Sequence, residues 1–314
     1  MRRAVNTRPA TGDRPSAAWF ARRRRPAEAV ITAALATAAG ASALILVGIS
    51  VWLGYQTIVF MIRAGVTVRA IVLSARWLPE SGHYGMLAFV VATVLTSGIG
   101  LAFALPVGIA TGTYLEEFAS LRVRSTVGPV LVAASHVPTV VFGYFALTAL
   151  TPALRAVFGD GVGVYNAASA GLAIGFALVP YVAARTQAAV AAVPVGLRAA
   201  GLSLGATTTE NATRLILPAS RYRLAALCLS AFGRAFSETM IVAMAAGIGP
   251  RLTINPFSPV ETIAGHVLRA GAGSPAASID ERGVFAVATL LFATTVAISA
   301  FSRALTRTDE RGRT

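Results

Sequence analysis

Arg234 and Glu238 stand four residues apart in a stretch, Leu224 to Ile248, that carries no other charge. The stretch matches the roughly 20 apolar residues that cross a bilayer as a helix. An ionisable group at the bilayer centre costs roughly 2.5–3.5 kcal/mol on insertion scales, so it is retained where it faces protein, water or a passing ion. On one continuous helix the spacing of four sets both groups on the same face. A guanidinium is a planar fork of donors suited to oxyanions. The hydroxyls of Ser230, Ser237 and Thr239 lie nearby in the same stretch and could add weaker donors. An ionised Glu238 would repel an anion, so its expected part is to hold or neutralise Arg234 while the path is empty. Arg before Glu is the poorer order for an intrahelical pair, which leaves a partner on another helix or a sister subunit open. A structural pair that fixes helix orientation is the plainer alternative. The expected chemistry is passage of an anion, with no bond made or broken. No nucleophile–base pair or P-loop is visible, and His83, His136 and His266 are too far apart in sequence to suggest a metal cluster.

The elements that must position these groups follow from composition. The chain of 314 residues is 55% hydrophobic and 13% charged. Soluble domains carry about 25% charge, so this is an integral membrane protein. Its 27 basic residues are all arginine and, against 13 acids, give a net charge of +14. The arginines are spread over tails and loops, which points to membrane topology and not to nucleic-acid binding. Cys228 is the only cysteine and lies in an apolar segment, so no disulfide framework is possible and a core-packing thiol is expected.

Six apolar windows reach the roughly 18-residue threshold for a spanning helix. They are 29–62, 86–114, 127–150, 161–184, 224–248 and 284–301. The alternating pattern of β-barrel strands is not seen. With the N-terminus inside, 19 arginines fall on inside segments and seven on outside loops, so both termini are expected in the cytoplasm. The first window is longer than a cleavable signal core of about 7–15 residues and predicts an uncleaved first span. Residues 1–21 and 303–314 read as disordered ends. The expected organisation is an Arg-rich tail (1–26), a first helix and outer loop (27–84), a core (85–305) with an inner loop (185–223), and a tail (306–314). Pro106, Pro138 and Pro180 lie in or beside spans, and Gly98, Gly100, Gly108 and Gly112 predict close helix packing. His136 is expected to make a hydrogen bond between helices, and Glu116 and Glu117 to form a solvated helix end.

The inner loop is too long for a plain connection. Leu197, Ala200, Gly201, Leu204 and Gly205 recur at helical spacing. Thr208 or Thr209 could cap a second short helix that runs to Leu217 and ends with the help of Pro218. A small-faced helix of this kind suits a partner's groove, and a helix lying on lipid is the alternative.

These residues resemble the EAA signature of ABC importer permeases. Ala199-Ala200-Gly201 precede Gly205 at the signature's spacing, and Leu215-Ile216-Leu217-Pro218 follow at the expected distance. Ala199 stands where the family usually has glutamate, and Gly201 where it has alanine. Residues 233–247, GRAFSETMIVAMAAG, resemble the R-A-x-x-E-T-M signature of phosphate-specific ABC permeases. The stretches 104–119, 137–152 and 255–267 agree. Met240-Ile241-Val242 and Val260-Glu261-Thr262 lean toward the C-type subunit of that family. The resemblance covers 85–305. It implies an all-α membrane fold of six helices, the type I ABC importer permease fold with a cytoplasmic coupling-helix loop. It implies that Leu197, Ala199, Ala200, Gly201, Gly205, Ala206, Leu215, Leu217 and Pro218 form the surface that meets the ATPase. It also implies a homologous A-type permease, two ATPase subunits and an extracytoplasmic phosphate-binding protein as partners. ATP and Mg would sit in the ATPase, with no cofactor in this chain. Permeases for sulfate, molybdate or phosphonate, an ATPase-independent transporter and a phosphate-sensing scaffold are the alternatives.

Overall fold

The computed structural model of the chain describes residues 26–273 and 279–311. Residues 1–25, most of the expected N-terminal tail, lie outside that description. The chain divides into two units, Met1–Val51 and Trp52–Thr314.

In the first unit the described residues belong to α1 (Pro26–Ala64). Side chains from 28 to 49 are exposed, and most of them are apolar. Thr32, Thr37 and Ser50 donate their hydroxyls to carbonyls four residues back, at 2.7 Å each. A helix apolar all round, with its polar side chains bonded to its own backbone, suits a lipid environment.

The second unit holds the rest of α1, then α2 (Val68–Leu73), strands β1 (Trp77–Leu78) and β2 (His83–Tyr84), α3 (Leu87–Glu117) and α4 (Leu121–Ala134). Next come α5 (Thr139–Phe145), a π-helical turn (Ala146–Leu150), α6 (Thr151–Phe158), α7 (Ala167–Ala191) and α8 (Val195–Ser203). Then follow α9 (Thr208–Glu210), a second π-helical turn (Asn211–Ile216), α10 (Leu217–Ala219), α11 (Arg221–Phe236), α12 (Met240–Ala245), α13 (Ile263–Gly273) and α14 (Ile279–Arg311). Among the described residues, five stretches are long and apolar enough to cross a membrane: 28–64, 87–117, 139–161, 167–191 and 283–305. The expected span 224–248 is divided between α11 and α12, and α11 reaches membrane-crossing length only together with the 208–219 segment, which is bent from it by 71°. The fold is therefore an all-helical membrane bundle, with one addition, the antiparallel pair of two-residue strands. Gly82, at φ 71°, makes the turn before β2. Trp77 then meets Tyr84 and Phe89 edge-on, at centroid distances of 5.8 and 5.3 Å.

Several boundaries differ from those read in the sequence. The window 127–150 is not one helix: α4 ends at Ala134 and the span begins at Thr139. Pro138 drives the residue before it out of the helical region, which splits the apolar run. His136, just past the end of α4, makes no bond between helices among the described residues; its Nδ1 bonds the Val132 carbonyl of α4 at 2.7 Å. At the C-terminal end α14 continues to Arg311, well past the start of the expected disordered end.

The bundle is centred on α3 and α7, which run parallel. A Cβ added at Gly108 would lie 2.6 Å from Val182 Cβ, one at Gly171 2.7 Å from Ile99 Cβ, and one at Gly175 2.8 Å from the Gly100 carbonyl oxygen. Lipid tails are as apolar as leucine, so helices associate in a membrane through this close packing. Gly98, expected to share the role, faces open space. Buried alanines and a few large residues, among them Leu101, Ile174, Leu178 and Ile241, fill the surrounding core.

At the N-terminal end of α7 the 246–262 loop is bonded into the bundle. Asn166 caps α7 by accepting from Ser169 N at 2.7 Å. Ala168 N donates to the Pro256 carbonyl at 2.7 Å, and Gly163 N to Phe257 at 2.9 Å. Ile263 N reaches Thr93 Oγ1 on α3 at 3.0 Å.

Candidate substrate-path and coupling sites

α11 ends at Phe236 and α12 begins at Met240, so Arg234 and Glu238 do not share one helix face as their spacing predicts. Among the described residues no ion pair joins them. Glu238 instead accepts a 3.4 Å hydrogen bond from Ile241 N in the first turn of α12. Arg234 is exposed and its Cζ lies 5.2 Å from the centroid of the Tyr181 ring of α7. That is within range of a cation–π contact. The break has a local cause. Ser237 Oγ donates to the Gly233 carbonyl at 2.9 Å, and Thr239 Oγ1 to the Ser237 carbonyl at 3.2 Å. Short polar side chains that bond nearby backbone compete with the helix. Ser237-Glu238-Thr239 ahead of an apolar run is also a helix-start pattern, the sequence signal for the break.

The remaining hydroxyl, that of Ser230, donates to the Leu227 carbonyl at 2.9 Å. Tyr181 OH then serves as donor to Ser230 Oγ at 3.2 Å. The protons of Ser230, Ser237 and Thr239 are thus engaged with backbone oxygens, and the guanidinium of Arg234 is the strong donor of this group.

The 193–220 segment has the expected helical first half. α8 runs Val195–Ser203, and Gly205 turns the chain at φ 85°, a left-handed value that favours glycine. The second helix starts one residue earlier than expected. Thr207 accepts from Glu210 N at 3.2 Å, and Glu210 Oε2 accepts from Thr207 N at 3.0 Å, a reciprocal capping box. Pro218 lies inside α10, and the 208–219 segment meets α11 at a bend of 71°.

This loop is stapled to the bundle by a residue that the sequence did not single out. Arg198 on α8 donates to Glu117 Oε1, on the last turn of α3, at 2.6 Å, and to the Val190 carbonyl of α7 at 2.6 Å. The Arg198 carbonyl accepts from Asn211 Nδ2 at 3.2 Å. Glu116 pairs with Arg124 and accepts from Gln187 Nε2. Glu116 and Glu117 are therefore not a solvated helix end; each side chain is only 9% exposed. Carboxylates at a helix C-terminus oppose its dipole, and the two arginines offset that. Beneath the staple, Val190, Val193 and Ile216 are buried with Leu197 and Leu217 against them.

Of the residues expected to meet an ATPase, Leu197, Gly201 and Leu217 thus turn toward the protein. Ala199, Ala200, Gly205 and Pro218 are exposed, and Ala206 and Leu215 are half-buried. Gly201 has its own reason to be glycine: a Cβ there would collide with Asn211 Oδ1 and lie 2.9 Å from Leu215 Cδ2.

At the opposite end, Glu261 is 5% exposed and accepts from Arg269 Nη2 at 2.6 Å, His266 Nδ1 at 3.1 Å and Gly249 N at 2.8 Å. Burial alone would raise this carboxyl. The hydrogen bonds and charges of His266 and Arg269 outweigh burial and hold it below the ordinary value.

No family model matches the chain. Its fold is shared with a chain of a solved ABC transporter. A chain of the MetNI methionine ABC transporter in an inward-facing conformation shares this fold at a TM-score of 0.50 and 16% identity, over 70% of this chain and 94% of that one. By sequence it is PstC-like. It is 26% identical over 250 residues to the phosphate transport system permease protein PstC of Pasteurella multocida, covering 73% of this chain and 77% of that protein. It is 27% identical over 212 residues to PstC of Mesorhizobium japonicum, covering 62% and 65%.

Proposed function

We propose that the chain is the C-type permease subunit of an ATP-driven importer of inorganic phosphate, with both termini in the cytoplasm. It pairs with a homologous A-type permease, and the ions cross between the two. Two ATPase subunits, which hold ATP and Mg, act on the 193–220 loop. A phosphate-binding protein docks at the end that carries the 246–262 loop. The observation that carries the phosphate reading is Arg234: an exposed guanidinium in an apolar stretch, laid on an aromatic ring and joined to no carboxylate among the described residues. Phosphate near neutral pH carries one or two negative charges, which a guanidinium can bond in its own plane.

The coupling step follows from the staple. ATP binding closes the ATPase dimer and draws the two permeases' loops together. Because Arg198 ties α8 to the ends of α3 and α7, a force on α8 is passed to the two central helices. ATP binding at one site thereby favours one of two bundle arrangements, which is what coupling between distant sites requires.

The test is phosphate uptake in cells that lack other phosphate importers, with sulfate and molybdate as competitors. Arg234→Ala is expected to abolish uptake while the ATPase still copurifies with the permease. Normal uptake by that variant would remove Arg234 from the path, and efficient competition by sulfate would point to a different oxyanion.

A further inference from the structure

We propose, resting on the reading of Arg234 as part of the path, that Arg185 is a second residue that holds the transported anion, one step nearer the 193–220 loop, with the Tyr181 ring shared between them. The Cζ of Arg234, on α11, lies 5.2 Å from the centroid of that ring, and the Cζ of Arg185, on α7, lies 5.6 Å from it. Both are within cation–π range. Two helices thus bring one guanidinium each to a single ring. Tyr181 OH meets Ser230 Oγ at 3.2 Å, which sets the register of α7 against α11. α7 ends just before the 193–220 loop and α11 starts just after it, so the two helices run in opposite directions. From the Tyr181–Ser230 level, Arg185 is one turn nearer the loop and Arg234 one turn further from it, about 6 Å each way at roughly 1.5 Å per residue. Their side chains reach back to the shared ring, so the two head groups are neighbours in a row that leads toward the loop.

Both arginines are exposed. Among the described residues neither guanidinium is paired with a carboxylate or hydrogen-bonded to a protein oxygen. An aromatic face attracts the charge but accepts no strong hydrogen bond, so both forks are available to an oxyanion. Hydropathy sets Arg185 at the start of the inner loop, but it lies inside α7, which continues to Ala191. Positive-inside topology explains an arginine on this side of a membrane, but not one that shares a ring with Arg234. A cavity of about 340 Å³ opens beside it, lined also by Tyr181, Ala188, Leu227 and Ser230. Arg223 and Arg303 line the same cavity and have interaction partners of their own, and the relay does not need them. An ion must bind well enough to enter a path and weakly enough to leave it, which several adjacent sites achieve better than one. A second fork one step on lets the oxygens of phosphate pass from Arg234 to Arg185 without a single costly release.

The test labels the assembled permease–ATPase complex, in nanodiscs and phosphate-free buffer, with the arginine reagent phenylglyoxal. Inorganic phosphate is then added, with sodium chloride at equal ionic strength as the control. Mass spectrometry reads the rate of modification at Arg185 and at Arg234. Phosphate, and not chloride, is expected to slow both several-fold. Protection of Arg234 with an unchanged rate at Arg185 overturns the relay and leaves the permease reading standing. Protection of neither overturns both. In uptake assays Arg185→Gln should lower the maximal rate about tenfold and leave the half-saturating external phosphate almost unchanged, because Arg185 acts after capture. Arg185→Lys, which keeps the charge, should restore most of the rate. A Gln variant that assembles with the ATPase and takes up phosphate at the parent rate also overturns the relay. If that variant does not assemble, labelling of the parent complex decides.

Discussion

Arg198 and Glu117 are 81 residues apart in sequence and 2.6 Å apart in space, and their ion pair fastens α8 to the end of α3. The second arm of Arg198 holds the Val190 carbonyl, so one guanidinium closes three elements. A partly buried bond of this type resists shear better than apolar contact alone, because its direction is fixed.

Removing either partner should loosen that joint. Glu117→Gln or Arg198→Gln is expected to cost about 1.5–3 kcal/mol, the range for hydrogen bonds to charged groups. The expected result is uptake reduced roughly tenfold, the factor that about 1.4 kcal/mol of lost coupling would give, while the ATPase still copurifies and hydrolyses ATP. The swapped pair, Glu117→Arg with Arg198→Glu, should recover part of the uptake. A swap no better than either single change would show that the pair does not transmit the force.

Gly201→Ala should destabilise the 193–220 loop, since the new methyl meets the buried Asn211 side chain. Overpacking of this kind costs about 1–3 kcal/mol. Asn211→Ala removes the obstacle along with the bond to the Arg198 carbonyl. The two changes together should cost less than the sum of the singles, as neighbours that share a contact do. Limited proteolysis of the 193–220 segment provides the measurement.

Tyr181 supports Arg234 through its ring and Ser230 through its hydroxyl. Tyr181→Phe keeps the ring and should leave phosphate uptake within a few-fold. Tyr181→Leu removes a contact worth about 0.5–2 kcal/mol and should reduce uptake more. Equal effects would mean that the hydroxyl, not the ring, matters.

Glu261 sets an acid limit on the loop that follows α12. Its carboxyl titrates below the ordinary value of 4.5 in the folded protein. At low pH the unfolded chain therefore binds the proton first. The carboxylate's contribution is fully present above that ordinary value and is lost as pH falls through the lower, folded one. Melting of the detergent-solubilised protein should thus be insensitive to Glu261 between about pH 5 and 7 and should weaken below about pH 4, within the carboxylate range. Glu261→Gln should lower the melting temperature at pH 7 and flatten the acid slope. An unchanged acid slope would locate the loss elsewhere.

The apolar windows, the glycines at 100, 108 and 112 and the helical spacing of 197–205 carried the membrane bundle and the α8 helix in the sequence itself. These features depend on composition and period, which survive without knowledge of neighbours. Hydrophobic length alone could not divide 127–150, because Pro138 acts on backbone geometry and not on hydropathy. The single face shared by Arg234 and Glu238 was an inference from an unbroken helix, and the backbone bonds of Ser237 and Thr239 end that helix.

What the sequence determined by itself is the environment: a chain this apolar must satisfy its backbone within helices and keep its few charges at ends, interfaces or polar paths. What only the tertiary structure decided is which charges meet. Arg198 with Glu117 and Arg234 with the Tyr181 ring are joined across separate helices. Their pairing depends on crossing angle and register, and no short stretch of sequence encodes either.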